Sequence, residues 1–325
     1  MRLVCVCPNP AIDHTVVVPA LVAGETIRGV ESLTNAGGKG LNVARFARGF
    51  GARVTPVTWL GSLGADFMRA LALRDDLDLR ACVAPSVTVR VCPVLADARD
   101  GSVLTTSDPP ATLDEATWAD FVALAAHASA EADVVCVAGS FPAVAGADAA
   151  GALLRAVAAA APTVWVDTSG DALAAVRDGF PAAGLKVNLA EARALLDGEV
   201  GSDDGDRGVD RRSGARALAA AEALSGGVRR VVVTAGEAGA AEATAAGSRW
   251  QAAPAVRARN PTGSGDAFLA GYLCAGRGPL RSVADPLLAG VLAGAANAGS
   301  WVPVVPAGSL LDLAREFGGG PEPGR

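Results

Sequence analysis

The segment from Asn260 to Phe268, which reads NPTGSGDAF, carries residue types that suit an anion beside an acid–base group. Gly263 and Gly265 would let a phosphate approach the backbone closely. The apolar spacing that follows predicts a helix, whose first backbone N–H groups and dipole attract negative charge. Asp266 falls in the first turn of that helix, where a carboxylate can accept a hydroxyl proton during phosphoryl transfer. A carboxylate that only stabilises the helix dipole is the alternative.

This segment matches neither of two common nucleotide-binding motifs. Phe268 occupies the place of the third glycine of the dinucleotide-binding G-x-G-x-x-G pattern. No G-x-x-x-x-G-K-[ST] segment occurs anywhere in the chain. An anion site at the start of this helix would therefore belong to neither of these two motifs.

A second glycine-rich segment, residues 35–44, reads NAGGKGLNVA and also leads into a predicted helix. Gly37 and Gly38 would let a polyol pack against backbone. Lys39 and Asn42 are three residues apart and share one face at the start of that helix, where Asn42 can bond hydroxyl groups. A glycine-rich turn with a solvated lysine is the alternative interpretation.

Polar residues also follow predicted strands, where ligands bind in parallel sheets. Asp13 follows the first strand and can bind two sugar hydroxyls, although it can equally be a turn residue. Lys186 and Asn188 lie on one side of a later strand. Glu191 can hold magnesium through water, or it can form a capping box with Asn188, and both can hold together. The loop at residues 234–239, TAGEAG, suits a nucleotide.

Strand-like and helix-like runs alternate along most of the chain, which predicts an α/β fold: a three-layer, mostly parallel sheet with helices on both faces. The predicted strands are 3–7, 54–60, 133–138, 163–167, 185–187 and 229–234. The predicted helices are 39–50, 64–74, 113–129, 146–160, 171–178, 190–197, 213–225, 264–276 and 281–299.

Two β-rich regions, 14–35 and 79–107, contain no long helix and predict a small separate sheet that acts as a lid over a cleft. The remaining residues, 1–13, 36–78 and 108–317, then form the catalytic domain. The polar, glycine-rich stretch 198–214 predicts a mobile surface loop, and the tail at 318–325 predicts disorder.

Composition excludes several function classes. A net charge of −6 and a pI near 5.1 without a basic patch argue against a nucleic-acid partner. Only two histidines occur, so a histidine-rich metal site is excluded. Six cysteines without a C-x-x-C pair favour buried thiols in a reducing compartment. No run predicts a signal peptide or a membrane span, so we expect a cytoplasmic protein.

Taken in order, the motifs resemble the PfkB (ribokinase-like) carbohydrate kinase family over residues 3 to about 305. GGKGLNVA resembles the first signature of that family and NPTGSGDAF its second. NPAID, VRVCPV and AGSFP are similar to the 1-phosphofructokinase and tagatose-6-phosphate kinase branch. The resemblance implies a ribokinase-like fold, ATP and Mg²⁺ as cofactors, and a sugar phosphate as acceptor.

The resemblance also implies roles for individual residues. Those expected to contact the sugar are Asp13, Gly37, Gly38, Lys39 and Asn42. Those expected at the phosphates are Arg90, with Lys39 and Arg28, and Ser140. Those expected to serve ATP and magnesium are Lys186, Asn188, Glu191, Thr234, Gly236, Gly239 and, at the adenine or ribose, Asn297. Gly263, Ser264 and Gly265 form the implied anion hole beside Asp266 as catalytic base.

The acceptor stays open at this level. Fructose 1-phosphate is the leading candidate, ahead of tagatose 6-phosphate, fructose 6-phosphate, an unphosphorylated sugar or a nucleoside, and a non-catalytic sugar-phosphate sensor is a further alternative. The sequence departs from the branch at Val89, Ala138, Ala143 and Ser62, in the segment 106–109, and in the order Pro261-Thr262. None of these departures removes a catalytic group.

Arg90 argues for a phosphorylated acceptor. It lies among apolar neighbours in a predicted lid strand, residues 87–91, where an unpaired guanidinium must meet an anion or reach solvent. A salt bridge to Asp97 or Asp108 is the alternative. Because a lid sheet without helices exposes one apolar face, we also expect two lids to pair in a homodimer.

Overall fold

The computed structural model describes residues 1–144, 148–177, 184–198 and 212–317. The strands are β1 Arg2–Cys7, β2 Ala11–Val18, β3 Glu31–Gly37, β4 Arg53–Leu63, β5 Arg80–Thr88, β6 Val91–Asp97, β7 Val103–Thr105, β8 Thr112–Leu113, β9 Val134–Ala138, β10 Ala143–Val144, β11 Val164–Asp167, β12 Gly184–Asn188, β13 Arg230–Thr234, β14 Gly239–Thr244 and β15 Gly247–Ala252. The helices are α1 Lys39–Gly49, α2 Ala65–Arg74, α3 Glu115–Ser129, α4 Ala149–Ala160, α5 Asp171–Arg177, α6 Leu189–Asp197, α7 Ser213–Leu224, α8 Ser264–Leu273, α9 Pro286–Ala298 and α10 Ala307–Phe317.

Nine strands of the described ranges form the main sheet, in the spatial order β15-β14-β13-β12-β11-β9-β1-β4-β5. The seven strands from β13 to β5 run parallel to their neighbours, and β14 and β15 add an antiparallel hairpin at one edge. The predicted α/β class and mostly parallel sheet are confirmed.

Helices cover both faces of this sheet, because its central strands are apolar on both sides. In β1, Leu3, Cys5 and Cys7 face a core shared with α1, α2, α8, α9 and α10. The alternate residues Val4 and Val6 face the core shared with α3, α4, α5, α6 and α7. The sheet thus forms the middle of three layers, and the carboxyl ends of its parallel strands meet at one edge.

A separate four-stranded sheet, which we call the small sheet, has the order β3-β2-β6-β7. β2 pairs with β3 in antiparallel and with β6 in parallel orientation. The pairing places Asp13 opposite Asn35 and Cys92. This sheet corresponds to the predicted lid, and it leaves the main sheet directly after β1.

The lid prediction is wrong about β5 and Arg90. β5 pairs with β4 at the edge of the main sheet, so residues 80–88 do not belong to the small sheet. Arg90 lies in the two-residue connection between β5 and β6, not in a strand. The β-rich run through this region covers two strands of different sheets, and the alternation of apolar residues alone cannot show where one strand ends and the next begins. The other domain boundaries stay a prediction.

The sequence also failed to predict several peripheral elements, namely the hairpin β14–β15, the short pair β8 and β10, and α10. The predicted loop at 198–214 lies outside the described residues except for its ends, and Ser213 already belongs to α7. The predicted tail at 318–325 also lies outside them. In the ranges given above, none of the helices combines the length and apolarity that crossing a bilayer requires.

Candidate active site

The start of α8 presents a carboxylate at a glycine-rich turn. Gly263 caps the helix in the left-handed region with φ of 80°, and Asp266 lies buried in the first turn. A Cβ on Gly265 would lie 2.9 Å from Nζ of Lys186, so a side chain at this position would displace that ammonium from the helix start. The first-turn N–H groups and the ammonium together form a positive site for an anion.

Asn42, in the first turn of α1, links the two carboxylates that the sequence singles out. Its Nδ2 donates to Oδ2 of Asp266 at 3.0 Å and to Oδ2 of Asp13 at 3.2 Å. These residues lie far apart in the sequence, and the packing of α1 against α8 brings them together. A hydroxyl group that binds Asp13 is thereby held near Asp266.

Gly37, at the end of β3, packs directly on Asp13. A Cβ at this glycine would lie 2.1 Å from Cγ of Asp13, so no side chain fits there. Across the connection between β1 and β2, Oγ of Ser140 accepts a hydrogen bond of 3.0 Å from Nδ2 of Asn9. Three of the predicted acceptor residues, Asp13, Gly37 and Ser140, therefore lie near the junction of the small sheet and the main sheet, the region that we call the polar pocket.

Arg90 lies at the same pocket, although it is not in a strand. Its Nε donates to the carbonyl of Pro10 at 3.2 Å, and its Nη2 donates to the carbonyl of Asn9 at 3.1 Å. Neither of the carboxylates considered as its partner binds it, since Asp97 pairs with Arg99 and Asp108 accepts from the backbone N–H of Val91. Within the described ranges, the Arg90 guanidinium meets backbone carbonyls rather than a carboxylate.

Arg28 does not join this pocket. It is exposed in the connection between β2 and β3 and makes no hydrogen bond or ion pair with any described residue. Val30 donates to the carbonyl of Val17, four residues along β2 from Asp13. Since a strand rises about 3.3 Å per residue, this end of the small sheet lies roughly 13 Å from Asp13.

Two lysines and two further carboxylates form a buried charge cluster beside α8. Nζ of Lys186 lies 2.7 Å from Oδ2 of Asp167, and Nζ of Lys39 lies 3.5 Å from Oδ1 of Asp167 and 3.6 Å from Oε1 of Glu191. The sequence reasoning missed Asp167. The available signal was its place as the last residue of a buried strand of a parallel sheet, where functional side chains gather.

Glu191 and Asn188 form the capping box, one of the two roles that the sequence allows for Glu191. Oε2 of Glu191 accepts from the Asn188 N–H at 2.7 Å, and Oδ1 of Asn188 accepts from the Glu191 N–H at 2.8 Å. Oε1 of Glu191 has no hydrogen-bond donor and lies toward Lys39. One oxygen therefore fixes the helix start while the other is available to a ligand.

The surroundings adjust the two buried aspartates in opposite directions. Burial raises the pKa of Asp266, the negative charge of Asp167 adds to this, and Lys39, Lys186 and Asn42 oppose it, which leaves the pKa at about 7. Burial also disfavours the charged form of Asp167, but Lys186 and Lys39 outweigh it and hold its pKa below the ordinary value. Asp167 is thus a fixed negative charge, and Asp266 is poised to exchange a proton near neutral pH.

A cleft of about 760 Å³ runs from the hairpin β14–β15 to the glycine-rich turn of α8. The predicted nucleotide residues Thr234, Gly236 and Gly239 line it, and Ser264 and Gly265 close its inner end. The sequence reasoning missed the small residues on α9 that form one wall. These are Gly294, Ala295 and Ala298.

The structure contradicts the expectation for Asn297. Its side chain is fully buried, and its Nδ2 donates to the carbonyl of Thr262 at 2.9 Å and to Oγ of Ser264 at 3.0 Å. Asn297 therefore holds the glycine-rich turn from behind rather than lining the cleft. The helix face was misjudged, because its neighbours on α9 are the residues that line the wall.

An apolar cleft that ends at an anion-binding helix start, with a dry carboxylate between it and a polar pocket, has the parts that phosphoryl transfer to an alcohol requires. The ribokinase-like layering places all three at the carboxyl edge of the sheet. The fold and the site together define a small-molecule phosphotransferase.

Comparison of the sequence with known proteins supports the same class of enzyme. The model of the pfkB family carbohydrate kinases matches residues 1–297, and the chain belongs to this family. A 1-phosphofructokinase of Rhodobacter capsulatus is 33% identical over 280 residues, which cover 84% of this chain and 83% of that protein. A 1-phosphofructokinase of Haloferax volcanii is 31% identical over 299 residues, which cover 89% of this chain and 88% of that protein.

The fold also matches solved structures. The structure of phosphofructokinase-2 from Escherichia coli in complex with fructose-6-phosphate superimposes with a TM-score of 0.79 at 21% identity, covering 97% of this chain and 99% of that chain. This chain is therefore an ATP-dependent carbohydrate kinase with the predicted ribokinase-like fold.

Replacement of Asp266 by Asn should lower kcat by roughly 10²- to 10⁴-fold, because the variant cannot accept the hydroxyl proton. The wild-type rate should rise with pH through about 7, as Asp266 loses its proton, and level off above it. Steady-state kinetics across pH 5.5–9 with a coupled ADP assay is the measurement.

The matched control is Asp66→Asn, which removes an exposed first-turn carboxylate from α2. This control should keep near-normal turnover. If Asp266→Asn also keeps near-normal turnover, Asp266 is not the base and only stabilises its helix.

Proposed function

We propose that this kinase transfers the γ-phosphate of ATP to a hydroxyl group of fructose 1-phosphate. The observation that carries the proposal is the bridge from Asn42 to Asp13 and Asp266, with Arg90 at the same pocket. Asp13 and Asn42 suit sugar hydroxyls, and the Arg90 fork suits a phosphate. The relatives named 1-phosphofructokinase support the choice of acceptor.

In the proposed mechanism, the acceptor hydroxyl lies between Asp13 and Asp266. Asp266 takes its proton while the hydroxyl oxygen bonds to the γ-phosphorus and the bond to the leaving β-phosphate oxygen breaks. The glycine-rich turn from Gly263 to Gly265 and the ammonium of Lys186 lie where negative charge develops on the transferred group. Asn297 keeps that turn in place through Thr262 and Ser264.

Asp167 and Glu191 fit a magnesium ion that accompanies ATP. Oδ1 of Asp167 and Oε1 of Glu191 are buried oxygens without a hydrogen-bond donor, and Mg²⁺ is usually held by one or two carboxylates, waters and substrate phosphates. Glu191 would act directly or through water. The ion would neutralise charge on the phosphates when bound. Among the described residues no group of three or more candidate ligands forms a closed protein cage.

The chain presents apolar side chains around the small sheet that suit pairing with a second copy. Val30 is 67% exposed and Leu104 is 53% exposed. We propose a homodimer through this sheet. We also place the enzyme in the cytoplasm, whose reducing conditions suit six cysteines that form no disulfide.

Replacement of Arg90 by Ala should raise KM for fructose 1-phosphate about ten- to a hundredfold, the loss expected for a charged hydrogen bond of about 1.5–3 kcal/mol. KM for ATP should change little. The assay uses a panel of fructose 1-phosphate, fructose 6-phosphate, tagatose 6-phosphate, free hexoses and nucleosides. Arg69→Ala, at an exposed site on α2, is the control.

A wild-type enzyme that prefers an unphosphorylated acceptor contradicts the assignment of fructose 1-phosphate and leaves the kinase class standing. A protein that binds sugar phosphates but turns none over is a sensor.

Glu191→Gln should raise the Mg²⁺ concentration needed for half-maximal rate on the order of tenfold or more. Gln keeps the side-chain cap at this position, so the folded state is retained while one negative charge is lost. Direct Mn²⁺ binding with a non-hydrolysable ATP analogue gives an independent measurement. Unchanged metal binding in both Glu191→Gln and Asp167→Asn would contradict this site.

The wild-type protein should scatter light as a dimer at micromolar concentration, and Val30→Glu should shift it to a monomer, because a charge in an apolar interface is costly. Leu73→Glu, on exposed α2, is the matched control and should stay dimeric. A monomeric wild type counts against pairing of the small sheets.

A further inference from the structure

Arg45 lies on α1 one turn beyond Asn42 and contacts backbone on both sides of the site. Its Nη1 lies 3.4 Å from the carbonyl of Ala36, and its Nη2 lies 3.4 Å from the carbonyl of Pro303. Both are long hydrogen bonds, and the side chain is partly buried. The guanidinium therefore spans from the end of β3 to the segment that follows α9.

Both contacted segments pack against residues of the active site. Ala36 precedes Gly37, which touches Asp13 so closely that a Cβ would lie 2.1 Å from Cγ. Pro303 lies against the glycine-rich turn, since its Cβ would be 3.4 Å from a Cβ built on Gly263. A displacement of either segment would change the position of Asp13 or of the turn before Asp266.

The charge of Arg45 acts on the same two carboxylates. Asp13 and Asp266 both interact with the guanidinium, as do Asp75 and Arg74. Arg74 is engaged elsewhere, since its Nη2 donates to Oδ1 of Asn35 at 2.8 Å and its Nε lies 3.1 Å from Asp75. Of these two arginines, Arg45 is therefore the one whose charge acts on Asp13.

This charge matters because the Asp13 side chain is partly removed from water. Burial raises the pKa of Asp13, and Arg45 is the largest opposing influence, ahead of Asn42, the Gly38 N–H and Arg90. A protonated Asp13 would have one acceptor oxygen fewer for sugar hydroxyls. The second carboxylate, Asp266, also faces Asp167, Lys39 and Lys186.

We propose that Arg45 is a positioning residue for the kinase reaction, which fixes the backbone segments beside Asp13 and beside the turn before Asp266 and presents its positive charge to both carboxylates. It acts through these residues and not by touching the acceptor. This role rests on the proposed function, since it assigns Asp13 to the acceptor and Asp266 to the proton.

The outer side of Arg45 leaves room for a test. The side chain borders an apolar cavity of about 190 Å³ that is also lined by Phe46, Phe50, Val305 and Leu310. Truncation of Arg45 to Ala should enlarge this cavity on the side where the guanidinium lies. A guanidinium ion from solution can then occupy the place of the lost group, whereas urea has the same shape without the charge.

The experiment compares Arg45→Lys with Arg45→Gln, using whichever acceptor the wild type phosphorylates best. The Gln variant should lose about ten- to a hundredfold in kcat/KM for the acceptor, as expected for a lost charged interaction, with KM for ATP little changed. Its pH profile should move to higher pH, because both carboxylates lose a stabilising cation. The Lys variant keeps the charge, so its profile should stay at the wild-type position and its loss should be smaller.

Two further variants complete the test. Millimolar guanidinium should restore part of the activity of Arg45→Ala, and urea at the same concentration should restore none. Arg48→Gln is the control, since it removes an exposed arginine of α1 that pairs with Asp76. If Arg45→Ala fails to fold, the comparison of Arg45→Lys with Arg45→Gln still tests the proposal through kcat/KM and the pH profile.

The proposal is overturned if the Lys and Gln variants share one pH profile, if Arg45→Gln behaves like the control, or if urea restores activity as well as guanidinium does. A wild type that phosphorylates none of the panel overturns the proposed function first, and the role of Arg45 falls with it. If the wild type is active but substitution of Arg45 changes neither kcat/KM nor the pH profile, only the role of Arg45 is overturned.

Discussion

The Asp266 carboxylate has to be buried away from solvent and still ionise near neutral pH, and these two conditions conflict. Burial alone would keep it protonated, and the nearby negative charge of Asp167 works in the same direction. Lys39 and Lys186 resolve the conflict, because both reach into the same buried region and pair with Asp167. The result is a base whose pKa of about 7 suits proton transfer from an alcohol.

The choice of lysine in this cluster has a steric reason. The chain has 28 lysines and arginines together, of which Lys39 and Lys186 are the two lysines. An ammonium on a flexible stem fits the narrow space beside Gly265, where a Cβ would already lie 2.9 Å away. A planar guanidinium needs more room and a flat partner. Arginine is used where space allows, as at Arg45 and Arg90.

The sequence predicted the main sheet, its helical layers and the glycine-rich turns, because these depend on local periodicity and composition. It could not place β5, since a continuous β-rich run through residues 80–97 divides between two sheets only through long-range pairing. Asp167 is a lone carboxylate in sequence, and its partner Lys186 lies 19 residues away. Asn297 was assigned to the wrong side of α9, because one helix supplies both the wall of the cleft and the support of the turn.

The distance between Asp266 and Asp167 depends on rigid elements at the other end of α8. Tyr272 packs on Trp165 with ring centroids 4.8 Å apart, and Trp165 lies two residues before Asp167 on β11. The hydroxyl of Tyr272 bonds to buried Glu242 on β14, which is also paired with Arg230 and Arg249.

Arg249 reaches on to Asp285, the cap of α9, at 2.6 Å. The same helix carries Asn297 at its far end. The charged network thus fixes α8 and α9 to the sheet from behind, which helps the base, its neighbouring carboxylate and the anion-binding turn to keep their separations.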